Sequence, residues 1–117
     1  MIAVRHYEKG KVREVDSDAI SELVNDPHLL WVDVFEPSDD DLACLQDEFG
    51  LHPLAMEDVR KHHQRPKLEN YPSHAFLVAY SADLQEVDLF IGPTWVISVR
   101  ESEEHGKAWS LDAARTR

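Results

Sequence analysis

The spacing of hydrophobic residues changes period several times along the chain, and each change marks an element. Residues 2–8 and 11–15 are short runs in which Val and Tyr alternate with polar residues around Lys9-Gly10-Lys11, the pattern of a β-hairpin. Asp16, Ser17 and Asp18 are N-cap candidates for a short helix reaching about Val24, with Ile20, Leu23 and Val24 on one face and Pro27 as its stop. Leu29 to Phe35 is β-branched and aromatic with no helical period, which predicts a buried strand. In Ser38-Asp39-Asp40-Asp41 an acid stands three residues after a serine, as in a capping box, and three carboxylates face the positive end of a helix dipole. Leu42, Leu45 and Phe49 then share one helical face, and Gly50 is the expected terminating residue. Pro53 suits the first turn of a further helix, expected from residue 53 to 62 or 63, with Leu54, Ala55 and Val59 inward and Pro66 closing the segment. Beyond it the pattern is that of strands at 76–80, 87–91 and 95–99, the last two joined through Gly92-Pro93. From about Lys107 the chain reads as the opening of a helix cut off at Arg117, so a piece of something longer is expected.

Composition narrows the class. A length of 117 residues with 43% hydrophobic and 30% charged side chains is that of one globular domain over residues 1–117, large enough to bury a core without staples. Cys44 is the single cysteine, which rules out an internal disulfide and a Cys-rich zinc module and fits a reducing compartment. Lying between Leu42 and Leu45, Cys44 is read as a small buried apolar residue rather than a nucleophile. A membrane-spanning helix needs about 20 mainly apolar residues. The apolar stretches here are far shorter, Leu29-Leu30-Trp31-Val32 being broken by Asp33, and the start lacks a signal-peptide layout, so the chain reads as soluble.

Charge changes the picture more than its total of −11 indicates. From Asp16 through Asp58 there are 13 acidic residues and no Lys or Arg, while the remainder holds 10 acidic and 12 basic side chains. The negative excess is therefore local. It argues against nucleic acid as a partner, because phosphates would be repelled, and it admits basic partners or divalent cations.

Three segments in fixed order carry a resemblance: Trp31-Val32-Asp33-Val34 before a polar helix start; Leu51-His52-Pro53-Leu54-Ala55-Met56-Glu57-Asp58 leading into Gln64-Arg65-Pro66-Lys67-Leu68-Glu69; and Glu86-Val87-Asp88-Leu89-Phe90-Ile91-Gly92 before a final strand. Over roughly residues 29–100 the chain resembles the soluble N-terminal domain of the CorA family of divalent-cation transporters. The resemblance implies an α/β (α+β) domain with a mixed, largely antiparallel sheet flanked by helices, on the cytoplasmic face of a bacterial inner (plasma) membrane. It implies a stalk helix and two transmembrane helices, with a Gly-Met-Asn motif, that this chain lacks. Full-length members are pentamers that pass Mg²⁺, or in relatives Co²⁺, Ni²⁺ or Zn²⁺. Other copies of the chain are thus the expected partners, and membrane contact is expected only through the missing helices. The implied role is regulatory ion sensing, with divalent cations bridging subunits to hold the closed state.

The family's acidic pair maps onto Glu57 and Asp58, which the resemblance assigns to weak regulatory Mg²⁺ binding completed by a carboxylate of a neighbouring subunit's stalk. Hard cations favour carboxylate oxygens and water, and Mg²⁺ usually takes only one or two carboxylates. The plainer reading makes Glu57 and Lys61 an i, i+4 surface ion pair and Asp58 a solvated acid. Asp58, His62 and His63 form a second candidate for Zn²⁺ or Ni²⁺, against which stands a simple hydrophilic helix end. Gln64-Arg65-Pro66-Lys67 is expected to be structural, with Arg65 and Lys67 pairing with the nearby acidic helix region, and His52 is expected to start a helix rather than bind metal. Asp39, Asp40 and Asp41 are most simply a cap cluster.

The alternatives are the equivalent domain of a Zn²⁺-transporting relative, a stand-alone soluble metal-binding module, and a metal-dependent hydrolase built on Asp58, His62 and His63. No His-Glu-x-x-His, phosphate-binding glycine loop or Gly-x-Ser-x-Gly supports an enzyme. The isolated chain is expected to bind Mg²⁺ only in the millimolar range or more weakly, and to be monomeric or weakly associated.

Overall fold

The computed structural model describes residues 1–16, 19–24, 27–61, 64–82 and 85–100. Among these residues seven strands and three helices follow one another as β1 (Ile2–Glu8), β2 (Lys11–Val15), α1 (Ile20–Leu23), β3 (Leu29–Phe35), α2 (Asp39–Phe49), α3 (Pro53–Val59), β4 (Lys67–Asn70), β5 (Ala75–Tyr80), β6 (Glu86–Ile91) and β7 (Trp95–Arg100). The strands form one sheet in the order β2-β1-β3-β7-β6-β5-β4. Among the described residues only β3 and β7 pair in parallel; the other neighbours are antiparallel. The mixed, largely antiparallel architecture expected from the sequence is therefore the architecture found.

The register explains the core. Val4 lies opposite Val32, and Val32 opposite Ile97, so alternate residues of the central strands share one face. Leu30, Val32, Val34, Ile97 and Val99 are buried there, with Phe76, Val78 and Phe90 further along the sheet. The helices add Leu42, Leu45 and Phe49 from α2 and Ala55, Met56 and Val59 from α3, and the Phe49 ring lies 4.9 Å from that of Trp95. β3 is not buried on both faces: Trp31, Asp33 and Phe35 alternate with its core residues and are half-buried. The apolar run hid this alternation because Trp31 and Phe35 are large and hydrophobic on the outer face.

The turn chemistry is largely as the sequence predicts. Lys9 and Gly10, with φ of 51° and 76°, close the β1–β2 hairpin, as a two-residue loop with both dihedrals positive does. The capping box of α2 is complete: Asp41 N–H donates to Ser38 Oγ at 3.0 Å, and Ser38 N–H donates to Asp41 Oδ2 at 3.1 Å. Gly50 ends the helix in the left-handed region. Gly92 is required by a close approach, since a Cβ there would sit 2.1 Å from Trp95 Cε2. The short helix begins at Ile20 with Ala19 as its N-cap, and Ser17 and Asp18 lie outside the described residues.

Three expectations are corrected. Cys44 is exposed: at about 100° per residue it points well away from the Leu42–Leu45–Phe49 stripe, although it lies between two of those residues in sequence. In α3, Met56 is buried and Leu54 is 57% exposed, because Leu54 falls on the side of the helix opposite Met56 and Val59. Finally, α3 stops at Val59 rather than at residue 62 or 63. There Lys61 N–H donates to the Asp58 carbonyl at 3.0 Å, a tightened last turn, and the Gln64 side-chain amide donates to the same oxygen. His62, His63 and the helix expected from Lys107 lie outside the described residues.

Candidate functional site

Asp58 sits in the last turn of α3, where the chain leaves the helix and returns through Gln64, Arg65 and Pro66 to the edge strand β4. Its side chain is 17% exposed. The Lys67 ammonium donates to Asp58 Oδ2 at 2.6 Å, and Lys61 Nζ lies 3.8 Å from Asp58 Oδ1. Lys67 also reaches Glu69 Oε1 at 3.0 Å, and the Tyr71 hydroxyl donates to Glu69 Oε2 at 2.9 Å. The Tyr71 ring stacks on His52 at 4.2 Å. His52 is the N-cap of α3, its Nδ1 accepting from Leu54 N–H at 3.1 Å. A chain of contacts thus ties both ends of α3 to the β4 edge. The Asp58 and Glu69 hydrogen bonds raise the Lys67 pKa, and the Lys67 and Tyr71 hydrogen bonds lower that of Glu69.

The loop beneath is fixed independently. Gln64 N–H donates to Glu86 Oε1 at 3.0 Å, and the Tyr80 hydroxyl donates to Glu86 Oε1 at 3.1 Å and to the Gln64 carbonyl. Burial, followed by the Glu86 charge and hydrogen bond, pushes the Tyr80 pKa up to about 12. Behind α3, His74 accepts from His52 N–H at 3.3 Å through Nε2 and meets Ser73 Oγ at 2.9 Å through Nδ1. It is buried against Tyr71, Phe90 and Trp95, and burial first, then the His52 charge, holds its pKa below the ordinary histidine value.

Sequence reasoning placed the Lys67 contact correctly in kind, as a pair with the acidic end of the helix, and His52 as a helix start. Glu57 is exposed beside Asp58, and Lys61 lies past the helix end, directed at Asp58 rather than one turn along from Glu57. The parts missed are Glu69 and Glu86, which meet the site through strand pairing, and Tyr71 and His74, which the β4–β5 turn brings there. The one available signal was the short Lys67–Asn70 alternation after Pro66, which is too polar to stand out.

The Trp-Val-Asp motif forms a second polar cluster on the outer face of the sheet. Arg100 grips Asp33 with two hydrogen bonds, Nε to Oδ1 at 3.2 Å and Nη2 to Oδ2 at 2.8 Å. Ser98 Oγ donates to Asp33 Oδ1 at 2.8 Å, and Trp31 Nε1 donates to Ser98 Oγ at 2.9 Å. Burial raises the Asp33 pKa, but the Arg100 and Ser98 hydrogen bonds outweigh it and hold the carboxyl below its ordinary range.

Among the described residues no group of three or more His, Cys, Asp or Glu side chains is arranged to hold a metal ion. Glu57 and Asp58 are consecutive in sequence at the end of α3, and Asp58 already holds the Lys67 ammonium in hydrogen-bond contact. No described helix is long and apolar enough to cross a membrane.

This arrangement of sheet and helices is the fold of CorA-type soluble domains. The soluble domain of CorA from Methanocaldococcus jannaschii superposes with a TM-score of 0.60 at 14% identity, over all of this chain and 47% of that one. Full-length CmaX superposes at 0.73 and 20% identity, over 97% of this chain and 39% of that one. The family model described as CorA-like Mg²⁺ transporter protein matches residues 26–105, and the chain belongs to that family. The putative metal ion transporter YfjQ of Bacillus subtilis is 38% identical over 94 residues, 74% of this chain. The chain spans 30% of that relative's length. Such relatives are named as metal ion transporters and not as enzymes.

Proposed function

We propose that the chain, as one domain over residues 1–117, is the cytoplasmic ion-sensing part of a CorA-type divalent-cation transporter, with Mg²⁺ as the ion and Asp58 as its principal carboxylate. The observation that carries this is the placement of Asp58 within the family-matched span: at the mouth of a helix end, still partly open to solvent, and held by side chains of Lys rather than by a rigid fork. Mg²⁺ keeps several waters and takes few carboxylates, so Asp58, with the exposed Glu57 beside it, suffices for one subunit's share.

When bound, the ion supplies a doubly charged bridge between acidic surfaces. The remaining ligand comes from the stalk of a neighbouring subunit in the full-length protein, in keeping with the absence of a three-ligand cluster among the described residues. In the full-length pentamer, acidic surfaces repel one another until cations screen or bridge them, and Asp58 ties subunit contact to ion concentration. The isolated chain then binds Mg²⁺ in the millimolar range or more weakly and is monomeric or weakly associated.

The test is transport by the full-length protein carrying this domain. Asp58→Ala should weaken inhibition by intracellular Mg²⁺, moving half-inhibition to higher concentration. An unchanged Mg²⁺ dependence of flux would remove Asp58 from the sensor.

A further inference from the structure

We propose that Lys67 is a built-in competitor for the divalent cation at Asp58: its ammonium holds the carboxylate in the cation-free chain and must leave it for an ion to bind. The competitor sets the cation concentration to which the domain responds. This rests on the proposed role of Asp58 as a cation ligand.

The geometry is that of a displaceable cation. Lys67 Nζ sits 2.6 Å from Asp58 Oδ2, the position of a bound positive charge, yet the Lys67 side chain is 32% exposed and touches Asp58 through a single point contact. An ammonium is a compact charge on a flexible stem, without the planar fork by which arginine locks a carboxylate. It also has somewhere to go. Glu69 Oε1 lies 3.0 Å from the same nitrogen, so Lys67 released from Asp58 keeps a carboxylate partner and stays hydrogen-bonded. Its backbone is meanwhile held in the β4–β5 ladder, where Lys67 lies opposite Val78, so only the side chain needs to swing. Lys61, at 3.8 Å from the other Asp58 oxygen, adds a second positive charge that an incoming ion must overcome.

The experiment titrates Mg²⁺ alone into the chain and follows backbone amide shifts. Lys67→Met should bind Mg²⁺ about two- to fivefold more tightly than the unmodified chain, the size expected for removing the one partly exposed ion pair that the ion must break. Lys67→Arg, which keeps the charge, should gain no affinity, and the gain should vanish in the Asp58→Asn/Lys67→Met double variant. Thermal melting checks that each variant is folded, and Lys67→Gln replaces Lys67→Met if that variant is not. Unchanged or weaker binding by Lys67→Met, or a gain that survives in the double variant, overturns the proposal. Asp58→Asn alone separates the two claims. If it leaves Mg²⁺ binding intact, the ligand role of Asp58 fails. If it abolishes binding while Lys67→Met gains nothing, the competitor alone fails.

Discussion

Asp33 and Asp58 are buried to nearly the same degree, their side chains 18% and 17% exposed, and each has a basic nitrogen within hydrogen-bond distance, at 2.8 Å and 2.6 Å. They nevertheless do different work. Asp33 lies on β3, in the middle of the sheet, and both its oxygens are taken: Arg100 grips them as a fork and Ser98 adds a third hydrogen bond. Both hydrogen-bonding partners stand on β7, the parallel neighbour, so the cluster stitches two strands that lie far apart in sequence. Asp58 stands at the end of a seven-residue helix, its main partner is an ammonium from an edge strand, and that ammonium is shared with Glu69. One carboxylate is locked, and the other is merely occupied. Burial and distance alone do not separate these cases; the number of bonds, the shape of the cation and the stiffness of the elements that carry it do.

The contrast makes a graded set of predictions. The largest effect belongs to Asp33→Ala, which leaves Arg100 and Ser98 without their acceptor and should lower stability by about 2–3 kcal/mol, as expected for losing hydrogen bonds to a charged group. Asp58→Ala should lower it by less than about 1 kcal/mol, because its ion pairs with Lys67 and Lys61 are partly exposed and such pairs contribute little. Urea unfolding of the two variants side by side checks the order, and equal losses would erase the distinction between lock and occupied ligand.

A smaller effect concerns pH and the frame of the site. His74 is held neutral by burial and by His52, so its folded pKa lies below the unfolded value of about 6.5. The unfolded chain takes up that proton first, so His74 contributes stability that is complete above the unfolded value and is lost as pH falls toward the folded one. Unfolding midpoints should therefore drop on acidification below about pH 6.5. His74→Gln, which keeps an acceptor for His52 N–H, should show a shallower drop over the same window. A slope identical to that of the unmodified chain would place the pH sensitivity elsewhere.

Much of the frame was legible from local chemistry. The Lys9-Gly10 hairpin, the Ser38–Asp41 capping box, the Leu42–Leu45–Phe49 stripe and the strands at β3, β5, β6 and β7 all announce themselves within a few residues of sequence. The family markers led to Asp58 and Lys67 but not to what joins them. Lys67 meets Asp58 only because the chain turns back after Arg60 and pairs along β5; Glu69 follows from the alternation of a strand too short and polar to stand out, and Tyr71 from the turn that succeeds it. The errors were of helical angle and length. Cys44 and Leu54 both face outward because a rotation of about 100° per residue, and not proximity in sequence to buried residues, decides which side a residue faces. At the early stop of α3 the Asp58 carbonyl is taken by Gln64, a contact from outside the helix. The role of Asp33 was hidden for a related reason: its partners Ser98 and Arg100 lie 65 and 67 residues away in sequence.

The most direct test of the account observes both aspartates in one sample. With the chain labelled at its aspartate carboxyl carbons, Mg²⁺ is added to several tens of millimolar at constant ionic strength. The account predicts that the Asp58 carboxyl resonance moves and approaches saturation in the millimolar range while Asp33 stays where it began. A motionless Asp58, or an Asp33 that moves in parallel with it, would contradict the assignment of Asp58 as the exchangeable, cation-responsive carboxylate of this domain.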